Sequence, residues 1–108
     1  MSQTDTFLKM IANGQDSEML RYTLGNAFYN EKKYTDAIEH LQKAVELKPD
    51  YSAAWKMLGR SLAAAESHQR ALDAFNQGFE VAEANGDKQT AKEIAVFRKR
   101  VIKSLEQG

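Results

Sequence analysis

Shifted by 34 residues, this chain of 108 residues lies on itself. Leu24-Gly25 falls on Leu58-Gly59, Ala37 on Ala71 and Glu46 on Glu80. The exchanges between them keep size or character: Phe28 meets Leu62, Ile38 meets Leu72, Leu41 meets Phe75, Ala44 meets Gly78, Val45 meets Phe79 and Leu47 meets Val81. The register also runs backwards, with Phe7 on Leu41, Lys9 on Lys43, Ile11 on Val45 and Asp16 on Asp50. A period of this length marks stacked supersecondary units. Each is too small to bury its own apolar face and so leans on its neighbours.

The units are helical. Ala, Leu, Glu, Lys and Gln dominate, and the β-branched residues are scattered rather than alternating. Apolar side chains recur at helical spacing in five stripes. These are Leu20, Leu24, Ala27, Phe28; Ala37, Leu41, Ala44, Val45; Trp55, Leu58, Leu62, Ala65; Ala71, Phe75, Gly78, Phe79, Ala82; and Ile94, Phe97, Val101, Leu105. A shorter helix holds Phe7, Met10 and Ile11 ahead of Gly14. Asp16 or Ser17, Thr35 and Asp50 stand where N-caps are wanted, Pro49 stops the helix before it, and Asn85-Gly86-Asp87 reads as a C-cap followed by an N-cap. The expectation is an all-α chain of about six helices joined by short links, so that neighbours pack as antiparallel hairpins.

Composition narrows the function. Fifteen Lys and Arg balance fifteen Asp and Glu, so no global field favours nucleic acid or an anionic membrane. The chain has no cysteine, which removes disulfides, thiolate zinc sites and thiol nucleophiles and fits a reducing compartment. Residues 1–13 have no basic region and no long apolar run, so a signal peptide is not expected, and a cytoplasmic location is. His40 and His68 lack partners at metal-ligand spacing, and His40 is expected on the surface. No H-E-x-x-H, G-x-S-x-G or P-loop pattern occurs, so neither catalysis nor a cofactor nor a metal is expected.

The repeat resembles the tetratricopeptide repeat, whose 34-residue unit follows a W-x2-L-G-x2-Y, A-x3-F-x2-A, P pattern. Residues 18–51 carry Leu24, Gly25, Phe28, Ala37, Leu41, Ala44 and Pro49 at those positions, with Arg21 in place of the first aromatic residue. Residues 52–85 carry Trp55, Leu58, Gly59, Leu62, Ala71, Phe75 and Gly78, with Glu83 in place of the proline. The resemblance divides a single domain into a degenerate half-repeat helix at 1–16, repeats at 18–51 and 52–85, and a capping helix at 86–108. It implies a right-handed superhelical stack of antiparallel hairpins, with a concave groove lined by the first helix of each.

That groove would take a peptide or helix of a partner protein. The resemblance puts Met19, Tyr22, Asn26, Tyr29 and Asn30 in it from the first repeat, and Ala53, Lys56, Arg60, Ala63 and Ala64 from the second. Read without the resemblance, Tyr22, Asn26, Tyr29 and Asn30 lie beside the core stripe of their helix and combine apolar area with hydrogen-bonding groups. Lys56 and Arg60 are an i, i+4 cation pair that an acidic side chain or a chain terminus would relieve. Each also has a plain structural reading: Tyr29 as packing against the next hairpin, the two cations as solvated surface. One subclass of the family clamps a partner's terminal carboxylate with Lys, Asn, Asn, Lys and Arg. Only Asn26 stands at a matching position, and Tyr22, Met57, Asp87 and Ala91 occupy the others, so the clamp is not expected.

Two other roles compete. The first helix, with Phe7, Leu8, Met10 and Ile11, has more apolar side chains than one buried stripe needs, which would suit a homo-oligomer joined through terminal helices. The basic run Arg98-Lys99-Arg100 with Lys103 could meet nucleic acid or lipid, but no aromatic residues interleave its basic face, and a solvated outer face explains it more simply.

Overall fold

The computed structural model describes residues 2–107; Met1 and Gly108, the outer ends of the expected flanking units, lie outside the described residues. Six helices follow in order: α1 Gln3–Ala12, α2 Glu18–Asn30, α3 Tyr34–Leu47, α4 Ser52–Ala64, α5 His68–Ala84 and α6 Lys88–Gln107. No strand occurs among the described residues.

Four of the five connections are the same turn. A residue of positive φ follows the helix, and the next N–H reaches back five residues to a carbonyl. Gln15 N bonds Met10 O (2.9 Å), Lys33 N bonds Phe28 O (2.9 Å), Ser67 N bonds Leu62 O (2.9 Å) and Asp87 N bonds Ala82 O (2.8 Å). The positive φ falls on Gly14 and Gly86 in two turns and on Lys32 and Glu66 in the others. This closure satisfies carbonyls left open at the helix end and reverses the chain within about three residues. The fifth connection, α3 to α4, is set by Pro49, and Trp55 Nε1 donates to the Pro49 carbonyl at 2.8 Å.

The N-caps differ in part from expectation. Ser17 does cap α2, accepting from Leu20 N at 3.1 Å, and Asp87 accepts from Thr90 N at 3.2 Å at the start of α6. Thr35 lies inside α3, because the αL turn at Lys32 starts the helix two residues earlier than a Thr35 cap would, at Tyr34 with Lys33 as the flanking residue. Asp50 caps nothing with its side chain; Tyr51 is the flanking residue of α4, and the Asp50 carbonyl accepts from Asn85 Nδ2 at 2.9 Å. Ser52 Oγ donates to Asp87 at 2.9 Å, so the start of α4 is tied to the start of α6.

Within each hairpin a helical glycine faces a large side chain. A Cβ on Gly25 would collide with the branch of Leu41, and one on Gly59 with the ring of Phe75. The two contacts occupy equivalent repeat positions. Leu24, Leu41, Leu58, Phe75 and Ile94 are the largest apolar side chains fully buried in a single core that runs through α2 to α6. Phe7 and Ile11 of α1 pack against its end, while Leu8 is exposed.

His40 is not on the surface: it is buried, and its ring stacks on Phe28 with centroids 5.5 Å apart. Arg21 Nη1 lies 3.0 Å from His40 Nδ1. Arginine can only donate, so Nδ1 accepts and the imidazole is neutral with its proton on Nε2. Burial, and then the Arg21 charge, hold the His40 pKa below its ordinary value. Arg21 also holds Asp16 through bonds of 2.8 and 2.9 Å, which pin the α1–α2 link to α2.

Two outcomes follow for stability. Gly59→Ala gains helix propensity but forces the fully buried Phe75 ring to move. A net loss of about 1–2 kcal/mol is expected, with Tm falling by about 4–8 °C per kcal/mol; an unchanged Tm would refute the close-approach role. Neutral His40 binds fewer protons in the fold than in the unfolded chain, so stability is lost as pH falls through and below its ordinary value of 6.5. Between about pH 7.5 and about pH 5.5 the wild type should lose more Tm than His40→Gln, measured by circular dichroism. Equal losses would contradict a buried neutral imidazole.

Candidate functional site

The order of contacts defines a hollow side. Each helix packs on the next in sequence, and in addition α2 meets α4 and α4 meets α6, whereas α3 and α5 make no such contact. The stack therefore bends toward α2, α4 and α6, and the first helices of the hairpins line its inner face together with α6.

The residues expected there have different surroundings. Tyr22 is half-buried, with its ring 5.0 Å from that of Tyr51, which precedes α4. Burial raises the Tyr51 pKa, with further contributions from Tyr22 and Glu18. Met19 is 68% exposed and Asn30 is exposed, at opposite ends of α2. Asn26 is half-buried, and its Oδ1 is fully buried with no hydrogen bond from the described residues.

Lys56 and Arg60 have separate surroundings. Lys56 Nζ sits 2.9 Å from Glu93 Oε1 on α6. The bond from Lys56, seconded by one from Gln89, lowers the Glu93 pKa. Arg60 has no carboxylate partner among the described residues. Its guanidinium lies between two rings, 5.0 Å from the centroid of Tyr29 and 4.7 Å from that of Phe97.

Tyr29, Arg60 and Ala63 converge on one open pocket of about 300 Å³, completed by Ala64, Phe75, Phe97, Arg100 and Val101. Phe75 and Phe97 stack with centroids 6.1 Å apart. Arg100 also lies over Phe97, at 5.5 Å. Sequence reasoning had put Arg100 in a basic run on an outer face and Phe97 in a core stripe. The signal that could have joined them is their i, i+3 spacing, which sets Arg100 over the ring that it follows. The rest of the run disperses: Arg98 lies 4.4 Å from the Phe79 centroid and bonds Asn76 at 3.3 Å, and Lys92, Lys99 and Lys103 are exposed.

Among the described residues there is no group of three or more His, Asp or Glu that could hold a metal, and no helix long and apolar enough to cross a membrane. What this face offers chemically is recognition: aromatic area, an unmet amide acceptor and two guanidiniums without carboxylates.

A tetratricopeptide repeat family model matches residues 22–87. A TPR repeat-containing protein of Pseudomonas aeruginosa is 42% identical over 93 residues, covering 86% of this chain and 89% of its relative. Among solved structures, a Bordetella parapertussis protein studied in solution is 34% identical with a TM-score of 0.82, and the match covers 96% of this chain and 90% of that one. The Sgt2 TPR domain from Aspergillus fumigatus matches in fold, with a TM-score of 0.80 at 23% identity, over 97% of this chain and 69% of its own. The family model spans well over half of the sequence, and the Pseudomonas relative aligns along most of both chains, so the chain belongs to the tetratricopeptide repeat family.

Proposed function

We propose that this protein is a non-catalytic protein–protein interaction module that holds a peptide or helix of a partner in the hollow formed by α2, α4 and α6. Tetratricopeptide repeat domains are generally protein–protein interaction modules. In this reading the repeats run 18–51 and 52–85, with α1 and α6 as flanking helices.

The observation that carries the reading is the convergence of half-buried aromatic side chains with unsatisfied polar groups on one preformed surface. Tyr22 and Tyr29 are the anchors: each has a rigid ring and a hydroxyl, and large aromatic residues carry a disproportionate share of interface energy. Asn26 Oδ1, buried without a donor, is relieved by an N–H from the bound chain. Met19 at the rim adds adaptable apolar area. Because the helices are fixed by the core, little ordering entropy is spent on binding.

A second reading, a homo-oligomer associating through terminal helices, is favoured by apolar exposure at both ends. Leu8 on α1 is 39% exposed, and Val96, Ile102 and Leu105 on α6 are 52%, 40% and 37% exposed. Light scattering on the full chain and on a chain lacking residues 1–14 separates the two, since truncation changes the number of subunits only if the chain associates through α1.

The direct test compares proteins retained from source-cell extract by the wild type and by Tyr22→Ala/Tyr29→Ala, followed by titration of the purified interactor. The double variant should keep its helical circular dichroism and lose binding by nearly a thousandfold, as expected when two anchors of about 2 kcal/mol each are removed. A folded double variant that binds as the wild type does refutes the groove.

A further inference from the structure

We infer that the pocket between α2, α4 and α6 is a subsite for an acidic side chain of the bound partner, received by Arg60 and Arg100. The inference rests on the groove reading above and adds the chemistry of what the groove selects.

Several cations of this protein are held by its own carboxylates. Arg21 is held by Asp16, Lys33 by Glu31 and Lys56 by Glu93. Arg60 and Arg100 are different. Both are brought to one pocket from separate helices, and no carboxylate of the described residues pairs with either. Their guanidiniums lie over the same ring, Phe97, at 4.7 and 5.5 Å, and Arg60 is also 5.0 Å from Tyr29. These ring contacts restrain both guanidiniums, and among the described residues the one hydrogen bond that engages either is from Arg60 Nη1 to Met57 Sδ at 3.8 Å, which leaves their other N–H groups for a ligand. Two like charges facing one hollow repel, and an anion between them removes that repulsion and gains charge-assisted hydrogen bonds.

The rest of the lining selects the anion's carrier. Ala63, Ala64, Phe75 and Val101 are apolar, so the ligand brings a methylene stem or apolar neighbours along with its charge. Two planar forks match a planar carboxylate. A second hollow of similar size, about 320 Å³ between α3, α4 and α5, has Arg70 and Asp73 on its wall and so carries both signs. Lys56 takes no part in the subsite, since Glu93 neutralises it.

The test titrates the full chain with a blocked pentapeptide, acetyl-Ala-Leu-Glu-Leu-Ala-amide, followed by amide and guanidinium NMR signals to millimolar peptide. Its Gln counterpart, and a Gln peptide with a free C-terminal carboxylate, are titrated alongside. The Glu peptide should shift the Ala63, Ala64, Phe97 and Val101 amides and the Arg60 and Arg100 side-chain signals, and it should bind about tenfold more tightly than the Gln peptide. Arg100→Gln, at an exposed residue, should abolish that preference without changing Tm. Arg60→Lys, which keeps the charge but not the stacked fork, should reduce it. Equal binding of the Glu and Gln peptides, a preference that survives Arg100→Gln, no shifts at all, or tighter binding of the free-terminus peptide would each overturn the subsite. The groove reading is judged separately, by whether Tyr22→Ala weakens the Glu and Gln peptides alike, because Tyr22 does not line the pocket.

Discussion

The hairpins close as tightly as they do because Gly59 has no side chain and Phe75 fills the space that one would take. The same exchange, with Leu41 over Gly25, closes the first hairpin. Glycine inside a helix costs about 1 kcal/mol in propensity, and here the loss is offset by the packing of a fully buried side chain against bare backbone. The consequences travel outward. Phe75, held down on Gly59, presents its ring to Phe97 of α6, and Phe97 in turn orders the two guanidiniums above it. A backbone contact in the core thereby sets the floor and the charged rim of the pocket.

The sequence carried this part of the architecture because the physics that makes the repeat also repeats. Gly25 and Gly59, Leu41 and Phe75, Ala37 and Ala71 recur at one spacing since each hairpin solves the same packing problem. The turns were half legible. Gly14 and Gly86 announce a left-handed residue, whereas Lys32 and Glu66 adopt the same conformation with no glycine to signal it. That is why Thr35 looked like a cap and proved to lie inside α3. Tertiary hydrogen bonds and burial were invisible: nothing local tells that Asp50 gives its carbonyl to Asn85, or that Arg21 reaches nineteen residues along the chain to cover His40.

The inner face was legible where it belongs to the repeated helices and illegible where it does not. Tyr29, Arg60 and Ala63 were singled out from α2 and α4 by the resemblance, Tyr29 also by its place beside the core stripe, and all three line the pocket. Its other wall comes from α6, which has no counterpart within the chain to align with. Phe97 and Arg100 therefore looked like a core residue and a surface cation, and Lys56 looked free although Glu93 waits across the helix interface. Side-chain spacing alone orders residues around one helix; which of them meet depends on how that helix is laid against others.

α6 consequently has two roles that cannot be pulled apart. Ile94 and Val101 are buried in the core that α6 shares with the helices before it. Glu93 and Asp87 on the same segment reach back to Lys56 and Ser52 of α4, so α6 is fixed in register by polar contacts as well as by apolar ones. That register decides where Phe97 and Arg100 stand relative to Arg60. A helix free to slide by one turn would still cover the core, but it would carry Arg100 about 5 Å along the helix axis and part the two guanidiniums. The ion pair and the Asp87 bonds are modest in energy at such exposed positions. Their contribution is to hold one alignment of a helix that hydrophobic burial alone would leave only loosely placed.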